Sequence, residues 1–314
     1  MLKSSFLFTA SLDSQARLQF LNLRPTEGLL TMEATLSDET SKAIDEVLAW
    51  ANLFKHHMRL EDVLRNLKIR SSIQALLQSI EHSPHLSIEG DVVFSEKYPR
   101  NTAFDSSQKL AIKHLEETKG VLSILNSCKQ VTGLAVTGSV AAGMNGEDGD
   151  VDVLIITKPG WVWRIRALAI YLSHEHPGGR LLCPNMVMSD DSLEFEKSMY
   201  GAREMMQIIP LKDNDGISEL YRMNSWVKDV LPNSDMKSPM ELSENRDYPW
   251  WWKIMKFPII GTFIESWEAR RRIKELKTSS KSKEAIYSKS VCRGHENSHK
   301  IRIESEYTNA LGEI

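Results

Sequence analysis

The feature that most restricts this chain is one run of residues, Val136-Thr-Gly-Ser-Val-Ala-Ala-Gly-Met-Asn-Gly-Glu-Asp-Gly-Asp-Val-Asp-Val-Leu-Ile-Ile-Thr157. The apolar segment Val131 to Thr137 predicts a strand that ends on Gly138-Ser139. A ten-residue connection rich in glycine and acid then leads to Asp150-Val-Asp152, at the head of a second strand, Val151 to Thr157. Residues i and i+2 of a strand point to the same face. Asp150 and Asp152 therefore project together, while Val151 and Val153 pack behind them. Two carboxylates on one face repel unless a cation lies between them. An oxygen donor pair with room for water and phosphate oxygens suits Mg²⁺.

Such a site matches the needs of phosphoryl-type transfer, in which charge develops on the phosphorus oxygens and on the leaving group. A glycine at 138 lets a triphosphate approach the backbone closely. The Ser139 hydroxyl and the neighbouring N–H groups can donate to phosphate oxygens. Gly138 and Ser139 are thus expected to hold phosphate, and Asp150 and Asp152 the metal.

The flanking chain has a readable order. Residues 1–40 form an extension with weak periodicity. From Ser41, a plausible N-cap, Ile44, Val47, Leu48 and Ala51 recur at helical spacing. Two short helices are predicted over Leu60 to Leu67 and Ser72 to His82. A hairpin over His85 to Phe94 turns at Glu89-Gly90-Asp91. Three helices and a hairpin within residues 41–100 is the order of a winged helix. A connecting helix over 105–127, a third strand over Leu181 to Met188, and helices over Trp161 to Leu172 and Lys197 to Ile208 fill a core at 101–215. Pro210 is expected to stop the last of these. Residues 216–314 are predicted to be a polar loop at 234–247 followed by mostly helical chain.

This arrangement resembles the DNA polymerase β superfamily of nucleotidyltransferases. The superfamily signature is Gly followed by Gly or Ser, a spacer of about ten residues, then Asp-apolar-Asp/Glu-apolar. Thr137-Gly138-Ser139 and Asp150-Val151-Asp152-Val153 fit it, with Thr137 departing at an apolar place. Leu182-Cys183-x-Asn185, Ala202-x-Glu204, Pro210-Leu211, Asn224-x-Trp226 and Leu231-Pro232-Asn233 are similar to a poorly characterised bacterial subgroup with an N-terminal winged-helix-like segment. The resemblance implies an α+β fold: a polymerase β-like core of mixed sheet and helices, a small winged-helix-like domain before it, and a helical C-terminal region after it. It also implies transfer of a nucleoside monophosphate from an NTP, with ATP the expected nucleotide, and release of pyrophosphate.

Many members place a third carboxylate on a later strand. Here Asn185 occupies the middle of that strand, and an amide can ligate a metal but cannot take a proton. Asp190, Asp191 and Glu194 follow it, and Glu204, on the next helix, is the acidic residue favoured as the base. Arg164, Arg166 and Lys158 are the expected cations for phosphate, with Arg166 facing the triphosphate. The competing reading is a transferase fold with weakened turnover that acts as a regulatory or binding protein through the winged-helix-like segment.

Charge narrows the partners. Formal net charge is −3, and residues 41–98 hold seven Lys or Arg against eight Asp or Glu. Duplex binding rests largely on phosphate neutralisation, so duplex DNA is an unexpected partner. NTP and an acceptor of small-molecule, protein or RNA type are the expected ones. Ten Lys or Arg against three Glu lie between Arg270 and Lys300, as expected of a solvated helix and loop. Tyr248 to Phe257 is rich in aromatics beside lysines and is expected to pack on the core, with a membrane or partner surface as the other reading. Cys292, His295 and His299 would make only half of a zinc site. Three cysteines far apart, no secretory core and no apolar run long enough to span a bilayer predict a cytoplasmic protein.

Overall fold

The computed structural model describes residues 27–280, 284–294 and 299–312. Helix α1 (Glu27–Leu53) begins well before Ser41. No proline lies between Glu27 and Ser41, and the one glycine, Gly28, falls at the helix start, so the helix runs through and Ser41 is a mid-helix residue rather than a cap. After it come β1 (Met58–Arg59), α2 (Leu60–Arg65), α3 (Ile73–His82), β2 (Leu86–Glu89) and β3 (Val92–Ser95). Ser72 caps α3 by accepting from Ala75 N at 3.2 Å. Gly90 turns the β2–β3 hairpin at φ +63°, a conformation that favours glycine. The three strands pair in the order β1-β3-β2. Strand β1 is only two residues long, too short to show any periodicity. The apolar face of α1, with Ile44, Val47 and Leu48, closes over Val63, Leu76 and Val93 to form the core of this unit.

The rest of the chain is organised by a six-stranded sheet. In order along the chain are α4 (Phe104–Asn126), β4 (Val131–Val136), α5 (Gly138–Ala141), β5 (Val151–Thr157), α6 (Val162–Glu175), β6 (Leu182–Ser189), α7 (Met199–Gln207) and β7 (Ile209–Asp213). Then follow α8 (Gly216–Met223), α9 (Val227–Val230), α10 (Trp252–Met255), α11 (Pro258–Ser279), β8 (Ile286–Tyr287), β9 (Val291–Arg293) and α12 (His299–Leu311). The strand order is β7-β4-β5-β6-β9-β8. Strands β5 and β6 are parallel, joined across α6, and the other pairs are antiparallel. This is the mixed α+β sheet expected of a polymerase β-like core.

Three strands differ from the sequence expectation. Pro210 ends no helix: α7 stops at Gln207, and Pro210 lies in β7 opposite Ala135, at a register irregularity. That strand is a sheet edge, where proline is tolerated. Residues 286–293, expected as helical chain, return to the sheet as β8 and β9.

Strand β5 is covered on both faces, which explains its nearly unbroken apolar sequence. Val151, Val153 and Ile155 face α4, α6, α10 and α11. Leu154 and Ile156 face α7 and α8. Asp152 shares the parity of Leu154, so its carboxylate emerges on the α7 side. Helix α12 joins the two units: Ile303 and Tyr307 pack on Ala49 and Trp50 of α1. Asn233 also bridges them, donating to Ile69 O at 2.7 Å and accepting from Ser71 N at 3.1 Å.

Candidate active site

The site is built at the end of β4 and the start of β5. Thr137 N donates to Asp152 O at 2.9 Å, which fixes the level of the Gly138 turn against the second strand. Gly138 has φ +64°, and a Cβ there would collide with the Asp152 carboxylate. Glycine is therefore required twice, for its backbone conformation and for the close approach. The ten-residue connection is held by Asn145, which is buried. Its Nδ2 donates to Asp150 O at 3.1 Å and to His114 Nδ1 at 2.9 Å, and its Oδ1 accepts from Gly146 N at 3.0 Å and from Ser139 Oγ at 3.4 Å. One amide thus ties the Gly-Ser turn, the loop and the base of Asp150 together.

Asp150 and Asp152 lie on one face, as expected. The parallel register sets Cys183 of β6 opposite Asp152. Ligand atoms of Asp150, Asp152 and Cys183 all fall within 4.8 Å of one another. Burial and then the neighbouring Asp150 raise Asp152 from its ordinary 3.8 to about 6. Burial and the two carboxylates push the Cys183 thiol up as well. A cluster that resists its own negative charge is one that a divalent cation would relieve. The two carboxylates suit a hard ion, and the thiol adds a softer donor.

Asp152 opens into a cleft of about 840 Å³ between the core and the N-terminal unit. Gly138, Ser139, Asp152, Asn185 and Glu204 all line it. Burial, and then the charge of Asp152, raises Glu204 to about 7. On the other wall stand His56 and His57. Burial first, then His57 and Lys237, lower His56 to about 4, so it is neutral at pH 7.

The other expected residues lie elsewhere. Arg164 and Arg166 sit on α6, which packs on the opposite face of the sheet from Asp152. Arg164 is buried: it donates to Met255 O and Gly160 O, pairs with Glu265 and lies 3.5 Å from the Trp161 ring. Arg166 lies over Trp163 and beside Cys292. Neither reaches a triphosphate at Gly138. Lys158, Asp190 and Asp191 fall near the far ends of β5 and β6, about 20 Å along the strands. Trp163 is a core residue, and its Nε1 donates to Ser288 O at 3.1 Å. His295 lies outside the described residues, as does the side chain of His299, so the half zinc site is not described.

The cation beside the Gly-Ser turn is one that the sequence did not single out. Lys237, from the polar loop after α9, lines the cleft and donates to Gln207 O at 3.1 Å and Ala141 O at 3.4 Å. Burial lowers its pKa. Arg65 of α2 reaches toward the same loop, donating to Asp235 O and Met206 O. No spacing rule could find Lys237, because its loop has no periodicity and reaches the site only through tertiary packing. Asn145 was visible only as a member of the connection, and Cys183 only as part of the third strand and of its Leu182-Cys183-x-Asn185 motif.

A mixed sheet that presents an acidic pair beside a glycine turn, with Asp152 lining a cleft, is consistent with a polymerase β-like core. Residues 115–176 match the family model of the nucleotidyltransferase domain, so the chain carries such a domain, consistent with the polymerase β-like superfamily. The matched stretch contains β4, the Gly-Ser turn and the Asp pair. No curated protein and no solved structure matches the chain. Among the described residues, no helix is long and apolar enough to cross a membrane.

Proposed function

We propose that the protein transfers a nucleoside monophosphate from an NTP, with ATP the expected donor, to an acceptor. The observation that carries this reading is the contact of Gly138 with the Asp152 carboxylate at the floor of the cleft. In the transfer, an acceptor oxygen bonds to the α-phosphorus, the α–β phosphoanhydride breaks, and pyrophosphate leaves. Gly138 and Ser139 receive the phosphates, and Lys237 takes the charge-neutralising role that Arg164 and Arg166 are too remote to fill. Asp150 and Asp152 hold Mg²⁺, with Cys183 within reach of the same ion. A divalent ion there supplies charge neutralisation at the phosphate oxygens. Glu204 accepts the acceptor's proton: its raised pKa suits a base working near neutrality. Asn185 orients substrate from the neighbouring strand.

The helix–strand–helix–helix–hairpin order of residues 41–100 supports a winged-helix-like unit. We read it as the second wall of the cleft rather than as a duplex reader, since α3 carries no Lys or Arg. Three unpaired cysteines support a reducing, cytoplasmic setting. The test is binding of labelled NTP with and without Mg²⁺, followed by a screen for pyrophosphate release against RNA, protein and small-molecule acceptors. Magnesium-dependent NTP binding with release toward one acceptor class is expected. NTP binding with no release toward any class, or no NTP binding, would refute the transfer and favour the regulatory alternative.

A further inference from the structure

The outer side of α10 and α11 has no role in the reaction proposed above. Half of the exposed large hydrophobic residues among those described lie between Trp250 and Trp267. Trp250, Ile254 and Phe257 come from α10 and its flanks. Ile259, Ile260, Phe263 and Trp267 come from the first half of α11, and Ile259 is 87% exposed. At 100° per residue these four fall within about 100° of one another on the helix. Arg270, Lys274 and Lys277 continue the same stripe, and all three are exposed. Lys253 and Lys256 flank the apolar residues on α10 and are exposed too.

The inner side of α11 fixes this orientation. Glu265 accepts from Trp163 N at 2.9 Å and Arg164 N at 2.8 Å, and pairs with the Arg164 guanidinium at 3.4 Å. Gly261 and Ala269 are buried beside it, and a Cβ on Gly261 would meet Arg164 and Met255 O. Rotating α11 to hide Phe263 would tear out that buried ion pair. The acids of α11 are not on the stripe: Glu265 faces inward, while Glu268 and Glu275 pair with Arg271 and Arg272.

We infer that this face docks the protein onto an anionic phospholipid surface. An aromatic and aliphatic stripe with cations at both ends, and no acid on it, complements lipid tails beside acidic headgroups. Tryptophans at either end of the apolar stretch, Trp250 and Trp267, suit the headgroup boundary. A second copy of the chain fits less well, because pairing this face with itself in a two-fold dimer brings together two stripes whose charges are all cationic. The mode is peripheral, in keeping with the lack of a spanning helix among the described residues.

Co-sedimentation of the full chain with vesicles tests this. Phosphatidylcholine vesicles containing phosphatidylglycerol should retain the protein, pure phosphatidylcholine should not, and added salt should weaken binding. The double variant Ile259→Glu/Phe263→Glu should lose at least about tenfold in vesicle affinity. The pair Arg270→Gln/Lys274→Gln, which leaves the packing untouched, should lose roughly fivefold per charge removed. Circular dichroism should be unchanged in both. Equal retention of the wild type and the charge variant would overturn the inference. So would a wild-type dimer by light scattering that Ile259→Glu/Phe263→Glu dissociates, with no vesicle binding.

Discussion

Replacing Asp152 with Asn should abolish transfer and at the same time stabilise the metal-free protein. Burial and the nearby Asp150 hold the Asp152 carboxyl at about 6 instead of 3.8. At about 1.4 kcal/mol per pH unit, ionised Asp152 costs up to about 3 kcal/mol more in the folded protein than in the unfolded chain. Between those two values the folded state binds the extra proton, so stability falls as pH rises through the window. The whole cost is present above about pH 6, and none of it below 3.8. Asn keeps the shape and an oxygen for the Cys183 thiol but carries no charge. Its gain should therefore reach up to about 3 kcal/mol at pH 8 in EDTA, or about 5 °C in Tm, and fade toward pH 4. Adding Mg²⁺ should raise the wild-type Tm and leave the variant unmoved. Denaturant and thermal unfolding followed by circular dichroism read both effects. A variant with native circular dichroism that is no more stable than wild type at pH 8 would refute the buried like-charge argument. Undiminished transfer would refute a two-carboxylate metal site.

Four further outcomes are expected. Glu204→Gln should cost at least roughly tenfold in rate and remove the acidic limb of the pH–rate profile near pH 7, whereas Asp190→Asn and Asp191→Asn should leave both unchanged. If all three variants keep full transfer, the acceptor must arrive already ionised. Lys237→Met should raise KM for NTP by at least about tenfold, which steady-state kinetics at fixed acceptor would show. Cys183→Ser should erase the thiolate-to-metal absorption of the Co²⁺-loaded protein while keeping Mg²⁺-supported transfer within about threefold. Random duplex DNA should not be retained at physiological salt in a fluorescence anisotropy titration, and submicromolar binding with a steep salt slope would contradict that.

The placement of the acidic pair beside the glycine turn follows from local chain pattern alone. Strand alternation forces Asp150 and Asp152 onto one face whatever surrounds them, and the break in apolar pattern at Gly138-Ser139 marks where the backbone turns beside them. The hairpin at Gly90 was legible for the same reason: it follows from neighbours in the chain. What depends on distant chain was not legible. Arg166 follows Asp152 by only 14 residues, yet α6 packs on the face of the sheet opposite the one from which Asp152 emerges. Lys237 reaches the Gly-Ser turn from a loop without pattern, and Cys183 meets the acidic pair only because β5 and β6 run parallel in one register. Short strands such as β9 have no period to read and exist only where a neighbour's open edge accepts them. The aromatic stretch at Tyr248 to Phe257 shows both halves of the lesson. Its amphipathic composition was visible, but only packing decided that Trp252 goes inside while Trp250 and Phe257 stay in water. Local periodicity fixes which side chains share a face, and only the burial of one face against another part of the chain decides which way that face looks.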